Sequence, residues 1–211
     1  MERHLDKLLA RFPVLESCRK DIALAFKLLK QLYEKDGILY VAGNGGSAAD
    51  AEHIVGELMK GFLLERRIDQ KDRNLFKEHD SGDGEMLSGS LQKGLRAYSL
   101  ISHPALSTAF ANDEHPENVF AQQLYVMGRT GDAFLAISTS GNSRNITQAV
   151  TVAKVKNIAT IALTGRHGGR LAALCDCAIK VPTDITHEIQ ELHLPIYHTL
   201  CVMLEEYFYG D

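Results

Sequence analysis

Two short loops rich in glycine and serine constrain the fold of this chain more than any other feature. One loop, at residues 43–47, follows an apolar run at 38–42, and the other, at 138–143, follows an apolar run at 133–137. Each loop also opens a segment with helical spacing. Because a strand, a tight turn and a helix N-terminus direct unpaired backbone N–H groups and the helix dipole to one point, we expect each loop to bind an anion.

The absence of certain residues from these loops limits the classes of ligand that they can bind. Neither loop contains Lys or Arg, so neither is a Walker-type loop, and the glycine spacing does not match a dinucleotide-binding fingerprint. We therefore expect no nucleotide cofactor. The loops predict capture of a small phosphorylated metabolite.

Composition excludes several classes of protein. The chain has 211 residues, a hydrophobic content of 45% and a net charge of −4, which together fit one soluble domain and argue against a non-specific nucleic-acid binder. No apolar run is long enough to span a bilayer, and the N-terminus lacks the apolar core of a signal peptide. The four cysteines are too few for a disulfide scaffold. We expect a cytoplasmic protein with neither membrane nor nucleic acid as a partner.

The order of apolar patterns predicts an α/β fold. Amphipathic helical spacing covers residues 4–35, where Pro13 separates two helices or begins the second, and later strand-like runs alternate with helical ones. We expect a three-layer, flavodoxin-like fold with a five-stranded parallel sheet in the order 2-1-3-4-5. The loops after the first and third strands would then flank the switch point, where ligands bind. The polar, mixed-charge stretch at 65–85 predicts a solvated excursion.

The predicted elements divide as follows. Strand-like runs lie at 38–42, 98–102, 133–138, 158–164 and 178–181, and helical patterns lie at 47–62, 118–128, 143–156, 169–175 and 186–209.

Two groups of side chains have the chemistry of a catalytic or metal site. His53 and Glu57 are four residues apart and share one helix face; the alternative is a solvated surface pair. Gln190 and His198 lie on the last helical segment, which Pro195 should bend. If the two helices meet, these four side chains can bind a metal such as zinc. His187 and His193 are each expected to be an exposed or capped histidine.

These residues carry a family resemblance. The sequence resembles the SIS (sugar isomerase) domain family and, within it, the phosphoheptose isomerases, across nearly the whole chain apart from about residues 65–97. The matching blocks are Gly43-Asn44-Gly45-Gly46-Ser47, Asp50-Ala51-Glu52-His53 with Glu57, Asn112-Asp113, Ser138-Thr139-Ser140-Gly141-Asn142-Ser143, Gly165 with Gly168-Gly169, and Ile189-Gln190-Glu191-Leu192-His193 with His198.

The resemblance implies roles for particular residues. Glu57 and His198 match the family's acid/base residues, and His53, Glu57, Gln190 and His198 match the zinc ligands of its zinc-binding members. The positions that match substrate-binding residues are Asn44, Gly45, Gly46, Ser47, Glu57, Asn112, Asp113, Ser138, Thr139, Ser140, Ser143 and Gln190. Residues 1–211 would form a single SIS domain, with N-terminal helices at 1–35 used for oligomer packing and a polar insertion at about 65–97.

The resemblance also implies a reaction and an assembly. The expected reaction converts sedoheptulose 7-phosphate to D-glycero-D-manno-heptose 7-phosphate through a cis-enediol, in heptose and cell-surface carbohydrate biosynthesis. Family members are homotetramers with active sites shared between subunits, which would explain how the C-terminal helix meets the helix after the first loop. One alternative is a non-catalytic SIS module that acts as a tetrameric scaffold, similar to the bacterial protein that promotes initiator assembly at the replication origin. Another is an isomerase of a different sugar phosphate.

Overall fold

Five short parallel strands form a central sheet, in a computed structural model that describes residues 2–210. Met1 and Asp211, the end residues of the predicted domain, lie outside the described residues. The strands are β1 (Leu39–Ala42), β2 (Ala97–Ser99), β3 (Ala133–Ile137), β4 (Ala159–Thr164) and β5 (Cys177–Lys180). Their order is β2-β1-β3-β4-β5, and every pairing is parallel, so the predicted topology is confirmed.

Ten α-helices surround this sheet within the described residues. They are α1 (Glu2–Arg11), α2 (Arg19–Glu34), α3 (Gly46–Met59), α4 (Gln70–His79), α5 (Asp83–Ser90), α6 (Pro104–Asp113), α7 (Val119–Met127), α8 (Arg144–Val155), α9 (Gly169–Leu174) and α10 (Thr186–Tyr209). Short 3₁₀ helices at Pro13–Cys18 and Pro116–Asn118 join some of them. Pro13 thus opens a 3₁₀ helix between the two predicted N-terminal helices.

The alternation of side chains along each strand explains the three layers. In β1, Leu39 and Val41 pack into a core with α1, α2, α3 and α10, whereas Tyr40 and Ala42 pack into a second core with α7, α8 and α9. All residues of β1 and β3 are buried, as expected of parallel strands that are covered on both faces. The continuous apolar runs in the sequence therefore mark the central strands.

The insertion at about 65–97 is more ordered than its composition predicts. It contains α4 and α5, which pack mainly against each other, and it returns to the domain where Arg67 and Gln92 form an isolated antiparallel bridge. No residue of α4 is buried. The predicted exposure of this segment is therefore confirmed. Its two helices were not predicted, because neither has a continuous apolar face that would give a helical period in the sequence.

Two further helices, α6 and α10, can be compared with the elements predicted from the sequence. Helix α6 was not predicted from the sequence, and none of its residues is buried. The predicted last helix is confirmed with the same bounds as α10, and it continues through Pro195. Across the described chain, no helix is both long and apolar enough to cross a bilayer.

Candidate active site

The two glycine- and serine-rich loops meet at the carboxyl edge of the sheet. The first loop joins β1 to α3 and the second joins β3 to α8, and these strands are neighbours at the switch point of the strand order. The side-chain amides of Asn44 and Asn145 join the loops through two reciprocal hydrogen bonds: Nδ2 of Asn44 donates to Asn145 at 3.0 Å, and Nδ2 of Asn145 donates to Asn44 at 2.8 Å. The predicted convergence of the loops is therefore confirmed.

Glycines make the first loop close and tight. Gly45 has a φ of +56°, which an L side chain rarely adopts, and it precedes the first residue of α3. A Cβ added at Gly43 would lie 2.4 Å from the carbonyl oxygen of Ser47. Ser47 itself is buried, whereas Asn44, Gly45 and Gly46 are exposed at the mouth of the loop.

The second loop is lined with small hydrogen-bonding groups. The hydroxyls of Ser138 and Ser143 lie 2.9 Å apart, and Ser143 is the N-cap residue of α8. Within residues 2–210, the backbone N–H groups of Thr139, Ser140 and Ser143 have no hydrogen-bond partner. Free N–H groups beside a helix N-terminus are the donors that a phosphate group requires.

The catalytic candidates lie on two helices that pack together. Oε1 of Glu57 and Nε2 of His53 are 3.1 Å apart on α3, and Nε2 of His53 is 3.4 Å from Nε2 of His198 on α10. The contact forms within one chain, so it does not need the neighbouring subunit that the resemblance offered as its explanation. Sequence spacing alone could not reveal this contact, because His53 and His198 are 145 residues apart.

Gln190 lies beside the first loop. A Cβ added at Gly46 would lie 2.6 Å from Nε2 of Gln190, which means that the amide rests directly on the backbone of Gly46. Gln190 and His198 are both on α10, so this helix reaches the loop at one position and the His53–Glu57 pair at the other. The predicted candidates on α3 and α10 therefore lie on one side of the fold.

The separations between the candidate ligand atoms can be compared with those around a zinc ion. Ligand atoms in a tetrahedral site with bonds of about 2.0–2.2 Å lie about 3.3–3.6 Å apart. The distances of 3.1 and 3.4 Å from Nε2 of His53 to Glu57 and His198 are within a few tenths of an ångström of that range. Within residues 2–210, no group of three or more His, Cys, Asp or Glu side chains is arranged so that it could hold a metal ion. The residue types His53, Glu57 and His198 fit zinc, whereas the fourth candidate, Gln190, is an amide.

Tyr197 and Asp50 lie beside the His53–Glu57–His198 cluster, and no role was predicted for either from the sequence. The Tyr197 hydroxyl lies 3.0 Å from Nδ1 of His53 and donates to Oδ1 of Asp50 at 3.2 Å. Burial raises the pKa of Asp50, and burial together with the nearby Asp50 raises the pKa of Tyr197. The position of Asp50 three residues before His53 on α3 was a usable signal, since such residues share a helix face.

The surroundings of His198 favour its neutral form. Partial burial and the neighbouring His53 lower its pKa, against a smaller opposing effect of Glu57. A neutral imidazole has one nitrogen lone pair, which can accept a proton or bind a metal. The geometry therefore places the imidazoles of His198 and His53 and the carboxylate of Glu57 within one small cluster.

A buried ion pair holds the segment after α3 against α10. Nε of Arg66 donates to Oε1 of Glu205 at 2.8 Å, and both side chains are almost fully buried. Glu205 also accepts backbone N–H groups of Phe62 and Leu63, at 2.7 Å each. The expectation of a solvated stretch was therefore wrong for Arg66, because a charged residue within a polar sequence run gives no sign of a distant buried partner.

Other predicted residues lie apart from the cluster. Asn112 and Asp113 are exposed at the end of α6, where Nδ2 of Asn112 donates to Asp113, and within residues 2–210 no hydrogen bond joins either to the two loops. His187 is exposed as expected. The expectation for His193 was wrong: it has no exposed surface, and burial lowers its pKa to about 4. It faces the core because it follows Ile189 by four residues on the buried side of α10.

Comparison with known proteins identifies relatives across most of the chain. Two family profiles, both described as SIS domain, match residues 111–205 and 4–89. The phosphoheptose isomerase of Sulfurimonas denitrificans is 40% identical over 88% of this chain and 82% of its own length. That of Aneurinibacillus thermoaerophilus is 39% identical over 83% and 76%.

A solved structure gives the same result. The structure of phosphoheptose isomerase from Neisseria gonorrhoeae superimposes with a TM-score of 0.72 and 30% identity, covering 97% of this chain and 98% of that one. The similarity therefore includes the sheet, both loops and the helices that carry the cluster.

Proposed function

The chain belongs to the SIS domain family and, within it, to the phosphoheptose isomerases, and from this premise we propose that it interconverts sedoheptulose 7-phosphate and D-glycero-D-manno-heptose 7-phosphate. The observation that carries the proposal is the contact of His53 with both Glu57 and His198 beside two phosphate-type loops. A sugar phosphate needs an anion site at one end and acid/base groups at the other. This edge of the sheet offers both.

The reaction moves two protons between neighbouring atoms of the sugar. A base takes a proton from C1 of the ketose while O2 gains one, which forms a cis-enediol. C2 then gains a proton and O1 loses one, which leaves the aldehyde at C1. We assign the carbon proton to Glu57 and the oxygen protons to His198, since positioned acid/base groups contribute about 10²–10⁴-fold each.

The loops supply binding and orientation. The free N–H groups and hydroxyls of the second loop, from Ser138 to Ser143, would hold the phosphate, with the α8 N-terminus adding its dipole. Asn44, Gly45 and Gly46 would contact the sugar from the first loop, with Gln190 beside them. Because the phosphate does not react, its binding free energy fixes the position of C1 and C2 at the acid/base groups.

Zinc is part of the proposal. His53, Glu57, Gln190 and His198 would hold it, and when bound it would polarise the sugar carbonyl and stabilise negative charge on the enediolate. A carboxylate bound to a dication is a weaker base, so Glu57 cannot act fully as ligand and base at the same moment. Chelator treatment separates these roles, because it removes the metal without changing Glu57.

The decisive experiment is isomerisation of sedoheptulose 7-phosphate by purified protein, with and without chelator. For Glu57→Gln we expect turnover to fall at least about 100-fold while the sugar phosphate still binds. Glu52→Gln is the matched control, since Glu52 is an exposed carboxylate on the same helix. Turnover of Glu57→Gln close to the wild-type value would reject the assignment. Conversion of another sugar phosphate in preference would reject the substrate.

The scaffold alternative finds no specific support. A non-catalytic SIS module has no physical need for two imidazoles and a carboxylate in contact, and the two relatives compared above at about 40% identity are named as isomerases. We further propose that residues 1–211 act as one SIS domain in a cytoplasmic homotetramer that serves heptose and cell-surface carbohydrate biosynthesis. Light scattering tests the assembly, because four chains of 23.3 kDa have a distinct mass.

A further inference from the structure

A large cavity lies at the edge of the sheet opposite to the two glycine- and serine-rich loops. It has a volume of about 690 Å³ and is lined mainly by residues 35–38, 129–132 and Arg96, which precede β1, β3 and β2, and by Tyr40 and Tyr98 of the strands themselves. The two loops follow β1 and β3, so the strands separate them from the cavity. Small-molecule sites have volumes of about 300–1,000 Å³, so this cavity is large enough for a metabolite.

Tyr40 is the residue of this cavity that core packing does not explain. It is 2% exposed in β1, it lines the cavity, and within residues 2–210 its hydroxyl has no hydrogen-bond partner. A buried tyrosine hydroxyl usually finds a partner. In the neighbouring strand, Phe134 is in register with Tyr40 and is fully buried, so an aromatic ring without a hydroxyl fills this level of the sheet. The hydroxyl of Tyr40 is therefore free to donate to a molecule in the cavity.

Cationic side chains outnumber the carboxylates around the cavity. Lys35, Arg96 and Arg129 line it, together with Asp36 and Asp132. Both carboxylates already have partners: Asp132 accepts two backbone N–H groups at 2.8 Å each, and Asp36 accepts from Arg96 at 3.3 Å. Within the described part of the chain, the side chains of Lys35 and Arg129 form neither a hydrogen bond nor an ion pair. The cavity therefore offers unused donors and positive charge but no unused carboxylate.

We propose that this cavity is a binding site for a small organic phosphate, which Arg129 and Lys35 hold by its phosphate group and Tyr40 contacts through its hydroxyl. The proposal does not depend on the proposed isomerase activity. A phosphate monoester carries a charge of about −1.5 to −2 at pH 7, which suits two unpaired cations better than a single carboxylate does. The planar guanidinium of an arginine also matches two phosphate oxygens at once.

The apolar part of the lining limits what the phosphate can be attached to. The rings of Tyr40 and Tyr98 lie 6.2 Å apart at an angle of 64°, and Val126 and Met127 at the end of α7 complete this wall. Such a wall packs against the ring of a sugar or of a nucleobase. A sugar phosphate and a nucleoside monophosphate share the required chemistry, and the experiment below distinguishes them.

The two arginines differ in what else they do. Nη1 of Arg96 donates to the backbone carbonyl of Asp36 at 2.8 Å, so this side chain also joins the segments that precede β1 and β2. The exposed side chain of Arg129 has no such contact within residues 2–210. Replacing Arg129 should therefore remove a phosphate donor without disturbing the fold.

The first test is ¹⁹F NMR of the full chain labelled with 3-fluorotyrosine, in which Tyr40→Phe identifies the Tyr40 signal. The protein is titrated to millimolar concentrations with adenosine 5′-monophosphate, with sedoheptulose 7-phosphate and with adenosine. We expect a saturable shift of the Tyr40 signal with at least one of the two phosphates, and the tighter of them identifies the class. Adenosine should bind at least about tenfold more weakly than its monophosphate if the nucleotide is the ligand. No shift with either phosphate, or equal affinity for adenosine and its monophosphate, would overturn the proposal.

Three variants locate the binding site. We expect Arg129→Gln to weaken the titration of the Tyr40 signal about tenfold, because it removes a charged hydrogen-bond donor. Arg67→Gln is the matched control, since Arg67 is an exposed arginine of the insertion. Gly46→Ala alters the first loop and should leave this titration unchanged. An Arg129→Gln protein that binds like the wild type, or a Gly46→Ala protein with weakened binding, would overturn the proposal, the latter because the signal would then report on the loops.

The second test separates a ligand contact from a structural role of the Tyr40 hydroxyl. Because this hydroxyl has no partner within the described residues, we expect Tyr40→Phe to keep the wild-type midpoint of urea unfolding when no phosphate is added. Calorimetry with the tighter phosphate should show about 3–10-fold weaker binding, as expected for one lost hydrogen bond. A lower midpoint without phosphate would assign the hydroxyl to the fold and contradict the proposal, and so would an unchanged affinity.

Discussion

The buried pair of Arg66 and Glu205 offers a sharp test of how the site is held in place. We propose the substitution Arg66→Met, which keeps the apolar stem of the side chain and removes its charge and hydrogen bonds. Glu205 would remain 1% exposed, with two backbone donors and no cation. Phe62, which donates one of those backbone bonds, also packs its ring against His198. Damage at the pair should therefore reach the site.

The expected cost follows from the contacts that are lost. Arg66 donates to Glu205 at 2.8 Å and to the carbonyl of Leu58 at 2.8 Å, and its guanidinium lies 4.7 Å from the centre of the Tyr209 ring. Removing one partner of a buried ion pair costs about 3–5 kcal/mol, because the remaining charge is left uncompensated. We expect a loss of about this size in the free energy of unfolding.

Urea unfolding followed by circular dichroism, at one fixed protein concentration, measures this loss. Arg67→Met is the matched control: Arg67 is the next residue, it pairs with Glu65 at 2.6 Å, and both side chains are 67% exposed. An exposed pair contributes about 0–1 kcal/mol. If Arg66→Met loses less than about 1 kcal/mol, or no more than Arg67→Met, the reasoning about the buried pair is refuted.

Three further predictions concern the loop and the core. Gly46→Ala places a Cβ 2.6 Å from Nε2 of Gln190, so we expect calorimetry to show about tenfold weaker binding of the sugar phosphate. Gly56→Ala is the matched control, because its Cβ meets open space, and we expect it to bind the sugar phosphate as the wild type does. The pKa of His193 is lowered to about 4 in the folded protein, so as the pH falls the unfolded state takes up this proton before the folded state does. The free energy of unfolding should therefore fall by about 2 kcal/mol from pH 7 to pH 5. His193→Gln should lose this part of the pH dependence, and an unchanged dependence in that variant would contradict the prediction. Burial raises the pKa of Cys201 to about 12, so a thiol reagent at pH 8 should label it only after denaturation; rapid labelling of folded protein would oppose this.

The main features of the fold were predictable because they follow from local patterns. Continuous apolar runs such as 133–137 can only be buried strands in a chain that alternates strand and helix, and strand order then places both loops at one edge. The helices α4, α5 and α6 were not predicted, because they lack the buried apolar face that gives a helix its sequence periodicity.

The residues of the site also separate into those that the sequence identifies and those that only the tertiary structure brings together. Sequence by itself determined which side chains have the chemistry, because the spacing of His53 and Glu57 and the composition of the loops are local properties. Only the tertiary structure decided which of them meet: His198 reaches His53, Tyr197 reaches Asp50, and Glu205 reaches Arg66. Each of these contacts joins α10 to α3 or to the segment after it. These contacts depend on the packing of α10 against α3, two helices that are far apart in the sequence. The spacing of residues within either helix does not reveal that packing.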